Sequence, residues 1–154
     1  MKIYIKRGHD IKVSGKPDRI LSSIPTGEII KMHPVEFPGI KPKLEVELNQ
    51  SIIKGEPLFH DKRNPEIKIT APASGVIIDI TFGERRIINS ISIKVDSNNN
   101  EVIFPSHSAD KCYSIDKNKI IETLCKSGLW PCLRTRPFSK VANPKDLPKA
   151  IFIQ

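Results

Sequence analysis

Arg134, Arg136 and Lys140 fall within one short stretch beside Trp130, Leu133 and Phe138. Pro131 and Pro137 keep that stretch from running on as a helix. An ordinary linker carries Ser, Gly and Asp, not aromatic rings beside guanidinium groups. Planar cationic donors next to apolar side chains suit a ligand that is partly apolar and partly anionic or carbonyl-bearing.

Other residues able to do chemistry are scattered. Cys112, Cys125 and Cys132 are odd in number and lack a C-x-x-C spacing, so neither a disulfide framework nor a zinc or iron–sulfur site is indicated. His9, His33, His60 and His107 form no i,i+4 pair and have no carboxylate at metal-ligand spacing. Ser74 and Ser139 lack a His-Asp relay. Gly75 and Gly83 sit in turn-like sequence rather than in a G-x-G-x-x-G preceding a helix. No catalytic residue and no metal ligand is assigned, and the chain is predicted to bind no redox cofactor of its own.

Elements able to position the basic aromatic stretch can be read from periodicity. Up to about residue 104 the chain alternates short β-runs with Gly, Pro and Asn. Ile3 and Ile5 alternate with polar neighbours, Leu44, Val46 and Leu48 with glutamates, and Ile67 and Ile69 flank Lys68. Gly75-Val-Ile-Ile-Asp-Ile80 reads as a more buried strand, and Ile91, Ile93 and Val95 close the series. Asn98, Asn99 and Asn100 mark a turn. Beyond it, Ser114 or Asp116 caps a helix near residues 116–127, with Ile120, Ile121, Leu124 and Cys125 on one face. Gly128 suits the left-handed stop, and Leu129 is placed to fold back onto Leu124.

Leu44–Phe59 and Gly75–Ser90 echo one another across Thr70-Ala-Pro-Ala-Ser-Gly75. A small-Pro-small-Gly turn between two such halves resembles the barrel-sandwich hybrid of biotinyl and lipoyl domains. Carrier members of that fold hold a modified lysine between methionines at a hairpin tip. This chain has Asp61-Lys-Arg-Asn-Pro-Glu66 there instead, so Lys62 reads as part of an exposed charged tip and not as a swinging arm.

The fold expected is mainly β: a barrel-sandwich hybrid domain over residues 1–104, its core about 26–104. A helix plus the basic aromatic segment follows over 105–147. The apolar run 148–154 is expected to open a following Rossmann-like domain, making the chain the front piece of a longer protein.

Composition supports a folded domain. The apolar fraction is 38% and the charged fraction 27%, outside the range of disordered chains. No apolar run approaches the roughly 18 residues a membrane span needs. The N-terminus has no signal-peptide core, which predicts a cytoplasmic location. Residues 1–110 carry 16 basic and 14 acidic side chains, whereas 111–154 carry 9 and 3. A tail so charged suits an anionic membrane face, an acidic protein partner or plain solvation. Nucleic acid is disfavoured, because the cations are not interleaved with a binding motif.

Lys6-Arg-Gly-His-Asp-Ile11, Asp61-Lys-Arg-Asn-Pro65, Thr70-Ala-Pro-Ala-Ser-Gly75, Gly83-Glu-Arg-Arg86, Ser127-Gly-Leu-Trp130, Leu133-Arg-Thr-Arg-Pro-Phe-Ser-Lys140 and Lys149-Ala-Ile-Phe-Ile153 together resemble the NqrA family. Its members are the A subunits of the bacterial sodium-translocating NADH:quinone oxidoreductases. The resemblance runs the length of the chain in order and covers the N-terminal part of that family. It implies a peripheral subunit on the cytoplasmic side of the inner membrane, within a complex that passes electrons from NADH to quinone and exports Na⁺. NADH, flavins and iron–sulfur centres are then expected in other subunits, with none in this chain. The partners implied are quinone and the other subunits of the pump, especially its membrane-embedded B subunit. Quinone contact is implied for Phe37, Pro38, Gly39, Leu133, Arg134, Arg136, Phe138 and Lys140, and the fragment alone is not expected to be catalytic. A quinone is a flat apolar ring with two carbonyl oxygens, so Phe138 and Leu133 suit its face and the cations suit its oxygens. The competing expectation is that Trp130 and Phe138 only dock the segment, with the arginines paired to acids. A second alternative is a protein-interaction module without quinone contact.

Overall fold

A computed structural model describes residues 12–16, 18–22, 27–97 and 100–152, apart from the side chains of Ala109 and Cys112. The expected strand around Ile3 and Ile5, the Lys6–Ile11 motif, His9, Asn98, Asn99, Ile153 and Gln154 lie outside the described residues.

Nine strands and one α-helix are described: β1 (Ile29–Met32), β2 (Pro42–Leu44), β3 (Ser51–Ile52), β4 (Pro57–Asp61), β5 (Lys68–Thr70), β6 (Gly75–Phe82), β7 (Ile88–Val95), α1 (Lys117–Lys126), β8 (Arg134–Thr135) and β9 (Lys140–Val141). One sheet has the order β1-β7-β6-β3, a second β2-β4-β5, and β8 and β9 form a separate hairpin. All the strand pairs are antiparallel and neither larger sheet closes on itself. The architecture is the mainly β one read from the sequence.

Period-2 patterning places the core between the two sheets. Ile77, Ile91 and Ile93 of the first sheet meet Leu58, Phe59 and Ile69 of the second, in one cluster with Val46, Ile52, Ala71 and Ile88. Burying each such aliphatic or aromatic side chain contributes roughly 1.5–3 kcal/mol.

The echoing halves build different structures. Gly75–Ser90 supplies most of one long hairpin, β6–β7, whereas the first half splits its strands between the two sheets. Two expected strands are also shorter or less regular than their alternation suggested. The Leu44–Leu48 run leaves strand geometry after Leu44, and Leu48 points outward at 56% exposure while Val46 stays in the core. Asn49 follows with a positive φ of 64°, and its N–H donates to the Ile77 carbonyl at 2.8 Å, so the chain crosses sheets there. In β6 the register against β7 shifts between Ile77 and Asp79. That bulge turns Ile78 to solvent at 39% exposure.

The helix forms as its local signals require. Asp116 is the N-cap, its carboxylate accepting from the N–H groups of Asn118 at 2.9 Å and Lys119 at 3.3 Å. Ser114, the other candidate, turns its hydroxyl to the Lys111 carbonyl. At the far end Gly128 has φ +77°, and the Leu129 N–H reaches the Leu124 carbonyl at 3.1 Å, the six-to-one bond of a Schellman stop. Cys125 is buried, Ile121 and Leu124 are half-buried, and Ile120 remains exposed. The Ser127 carbonyl then accepts from the Thr70 hydroxyl of β5 at 3.4 Å, tying helix to sheet. Residues 148–152 form no strand.

Candidate functional site

Just past the helix stop, Trp130 opens a 3-10 turn, Trp130–Cys132. Its indole packs into a second buried cluster with Ile67 and Cys125. Its Nε1–H donates to the Ala142 carbonyl at 2.8 Å, and the Ala142 N–H donates to the Leu133 carbonyl at 2.9 Å. These bonds pin both ends of the β8–β9 hairpin. Trp130 is thus the docking residue of the segment, at 7% exposure.

Phe138 is not. It stands at the hairpin tip, 77% exposed, with the Lys140 ammonium 5.8 Å from its ring centroid. Arg134 and Arg136 make no ion pair among the described residues. The Arg134 guanidinium reaches only the Ser139 carbonyl, at 3.5 Å, and the Thr135 hydroxyl donates to the Lys140 carbonyl at 3.2 Å. Of the docking expectation, Trp130 obeys it, whereas Phe138 and the arginines do not.

A second segment meets this hairpin from far away in the sequence. Pro34–Glu36 form a 3-10 turn that ends at Phe37, and the Ile40 N–H donates to the Phe37 carbonyl at 3.1 Å. Gly39 adopts φ +91°, a conformation that costs other residues about 1 kcal/mol or more. A Cβ there would also come within 3.2 Å of Lys140 Cβ. The Pro38 carbonyl accepts from the Val141 N–H at 3.1 Å. Pro38 and Gly39 therefore lie directly against Lys140 and Val141. Ile40 packs against both buried clusters and holds the turn in place.

Phe37 does not share the face. Its ring meets Phe59 edge-on, 5.8 Å between centroids at 76°, and packs against the main core.

Arg63 and Asp61 belong to the same locality and were read from the sequence only as parts of a charged tip. The buried Asp61 carboxylate accepts from the Lys41 N–H at 2.9 Å, the Arg63 N–H at 3.3 Å and the Asn64 amide at 3.3 Å. The Arg63 guanidinium donates to the Gly39 carbonyl and lies 3.7 Å from the Asp61 carboxylate. The available signal was turn chemistry: an Asp opening Asp-Lys-Arg-Asn-Pro is placed to bond the backbone N–H two residues on. Lys62, at that tip, is exposed.

The face so built is cationic, partly apolar and open. Two clefts, of about 580 and 700 Å³, flank α1, and neither is lined by any of the eight residues expected to contact quinone. Cys125, on the wall of the smaller cleft, has its thiol pushed up to about 11 by burial and then by the charge of Glu66. Elsewhere, the Nδ1 of His33 lies 3.1 Å from the Asn89 carbonyl, His60 pairs with Glu45, and His107 is exposed on the wall of the larger cleft. Among the described residues no three His, Cys, Asp or Glu side chains are grouped to hold a metal ion. No helix among them is long and apolar enough to cross a membrane.

By fold the chain is a barrel-sandwich hybrid with an appended helix and hairpin. Residues 3–96 match the family model of the NqrA N-terminal barrel-sandwich hybrid domain, and residues 115–154 that of the NqrA second alpha/beta domain. The chain belongs to the NqrA family. It is 36% identical over 151 residues to the A subunit of the Na(+)-translocating NADH-quinone reductase of Tolumonas auensis, covering 98% of this chain and 34% of that protein. The protein of the same name from Pseudomonas aeruginosa PAO1 shows 36% identity over 151 residues, with 98% and 34% covered. A Marinomonas relative shows 36% over 149 residues, with 97% and 33% covered. The chain thus spans about a third of the length of the curated relatives it matches.

Proposed function

We propose that this chain acts as the N-terminal part of the A subunit in a Na⁺-translocating NADH:quinone reductase. It sits peripherally on the cytoplasmic side of the membrane, next to the membrane-embedded B subunit, where it contributes one wall of a quinone site. Other subunits carry NADH, flavins and iron–sulfur centres. The observation that supports this best is convergence. The Pro38–Gly39 turn and the Leu133–Lys140 hairpin, about a hundred residues apart, share the Val141 N–H to Pro38 carbonyl bond of 3.1 Å.

The chemistry of the wall is binding and charge compensation. Reduction puts negative charge on the two quinone oxygens, and positioned cationic donors stabilise it. Arg134, Arg136 and Lys140 supply those donors, while Phe138 and Leu133 supply the apolar face. Phe37 supports the turn from inside and does not touch the ring. Because the face is open, the remaining walls of the pocket come from outside this chain.

A photoreactive quinone applied to the assembled complex tests this reading. Labelled peptides from 133–140 and the Pro38–Gly39 turn, suppressed by excess unmodified quinone, are the expected result. Labelling confined to other subunits would leave the chain as a protein-interaction module without quinone contact. The inward-facing ring of Phe37 is the observation that favours that second reading.

A further inference from the structure

We infer that the β8–β9 hairpin tip is an interfacial anchor for an anionic lipid surface. All residues from Arg134 to Lys140 are exposed, while Trp130 and Pro131 before them are buried and Val141 and Ala142 after them half-buried. The hairpin is thus clamped at its base and stands off the body at its tip.

The tip lies inside the longest acid-free interval of the chain and combines unpaired cations with an exposed ring. No acidic residue occurs between Glu122 and Asp146. Lys126 and Lys145, near the ends of that interval, are paired with Glu122 at 2.6 Å and Glu66 at 3.8 Å. Arg134, Arg136 and Lys140, on the hairpin, have no ion-pair partner among the described residues. They flank Pro137 and Phe138, the apolar residues of the tip. An exposed ring bordered by cations matches the boundary between acyl chains and headgroups, where the ring enters the apolar layer and the cations meet phosphates.

A protein partner fits less well. A stable protein interface needs about 800 Å² on each side and some 20–30 residues, and this feature is one projecting loop. A bilayer accepts an isolated apolar tip without a complementary shape. The inference does not rest on the quinone reading, since it requires no pocket and no other subunit.

The test is flotation of the 154-residue chain with vesicles of phosphatidylcholine alone or mixed with phosphatidylglycerol, at rising salt. Binding to the anionic vesicles only, weakened by salt, is expected. Arg136→Ala should weaken it about fivefold, the effect of one cation at such a surface, and Phe138→Ala by at least as much. Lys43→Ala and Lys94→Ala, exposed cations on β2 and β7, should change it far less. Phe138→Trp should show a blue-shifted emission on anionic vesicles, against the constant background of buried Trp130. Circular dichroism establishes that each variant is folded.

Failure of the wild-type chain to float overturns the inference. So does equal weakening by the Lys43 or Lys94 substitutions, which reduces the effect to net charge, and so does unmoved Phe138→Trp emission. Capture by soluble polyglutamate without vesicle binding also overturns it, in favour of an acidic protein partner. Vesicle binding that depends on Arg136, combined with unaltered quinone reduction in the complex, would sustain the anchor and remove the quinone reading.

Discussion

The indole N–H of Trp130 donates to the carbonyl of Ala142 at 2.8 Å, across twelve residues of sequence. One buried ring thereby closes the loop that carries Arg134, Arg136 and Lys140, and couples it to the Cys125 and Ile67 cluster. The site is therefore only as well ordered as this ring.

Trp130→Phe keeps most of the packing and leaves the Ala142 carbonyl without its donor. A loss of about 1–3 kcal/mol of stability is expected, measured by urea unfolding. Trp130→Ala, which also empties the cavity, should cost about 3–5 kcal/mol. Equal stability of Trp130→Phe and the parent would show that the hydrogen bond contributes nothing.

Gly39→Ala imposes a Cβ on a residue at φ +91° and brings it within 3.2 Å of Lys140 Cβ. The expected cost is about 1–2 kcal/mol. Amide exchange should rise at Val141, whose N–H donates to the Pro38 carbonyl. Unaltered protection at Val141 would mean that turn and hairpin are not mechanically joined.

Glu45 gives a pH signature. Burial pushes its carboxyl up, but hydrogen bonds and charges from Lys68 and His60 overcome this and hold it below its ordinary value of 4.5. A depressed carboxylate stabilises the fold above the unfolded-state value, and that contribution disappears as pH falls through the folded one. Stability should thus decline below about pH 4.5, and Glu45→Gln should flatten that part of the curve. Titration of unfolding midpoints for both proteins provides the check; identical slopes would exclude the network as the cause.

The cysteines should differ in reactivity. Cys125 is buried with its thiol raised to about 11, whereas Cys132 is exposed. The thiolate is the reactive form. Brief alkylation at neutral pH followed by peptide mapping should therefore modify Cys132 and spare Cys125 in the folded chain. Modification of both at one rate would mean that the α1 packing opens readily.

Signals confined to a few neighbouring residues were legible in the sequence. The helix cap, narrowed to Asp116, the apolar face of α1 apart from the exposed Ile120, and the Gly128 stop each involve groups within about six residues and appear in the fold. The strands of the core were legible through their alternation. What the alternation could not disclose was the bulge at Ile78 or the end of β2 at Leu44, because both depend on pairing partners elsewhere in the chain. The same holds for the site. Leu133–Lys140 stood out by composition, but nothing local to Phe37 told that its ring turns inward to Phe59. Arg63 was missed because its reach to Gly39 exists only once β4 has brought the Asp61 turn beside residue 41.

The most direct measurement of the central claim is quinone reduction by the assembled complex carrying Arg136→Ala, with subunit content and the melting temperature followed in parallel. Loss of one charged donor corresponds to about 1.5–3 kcal/mol, so kcat/KM for quinone should fall on the order of tenfold to a hundredfold. Subunit content and thermal midpoint should stay unchanged. Full quinone kinetics in a complex that retains the variant chain would contradict the account.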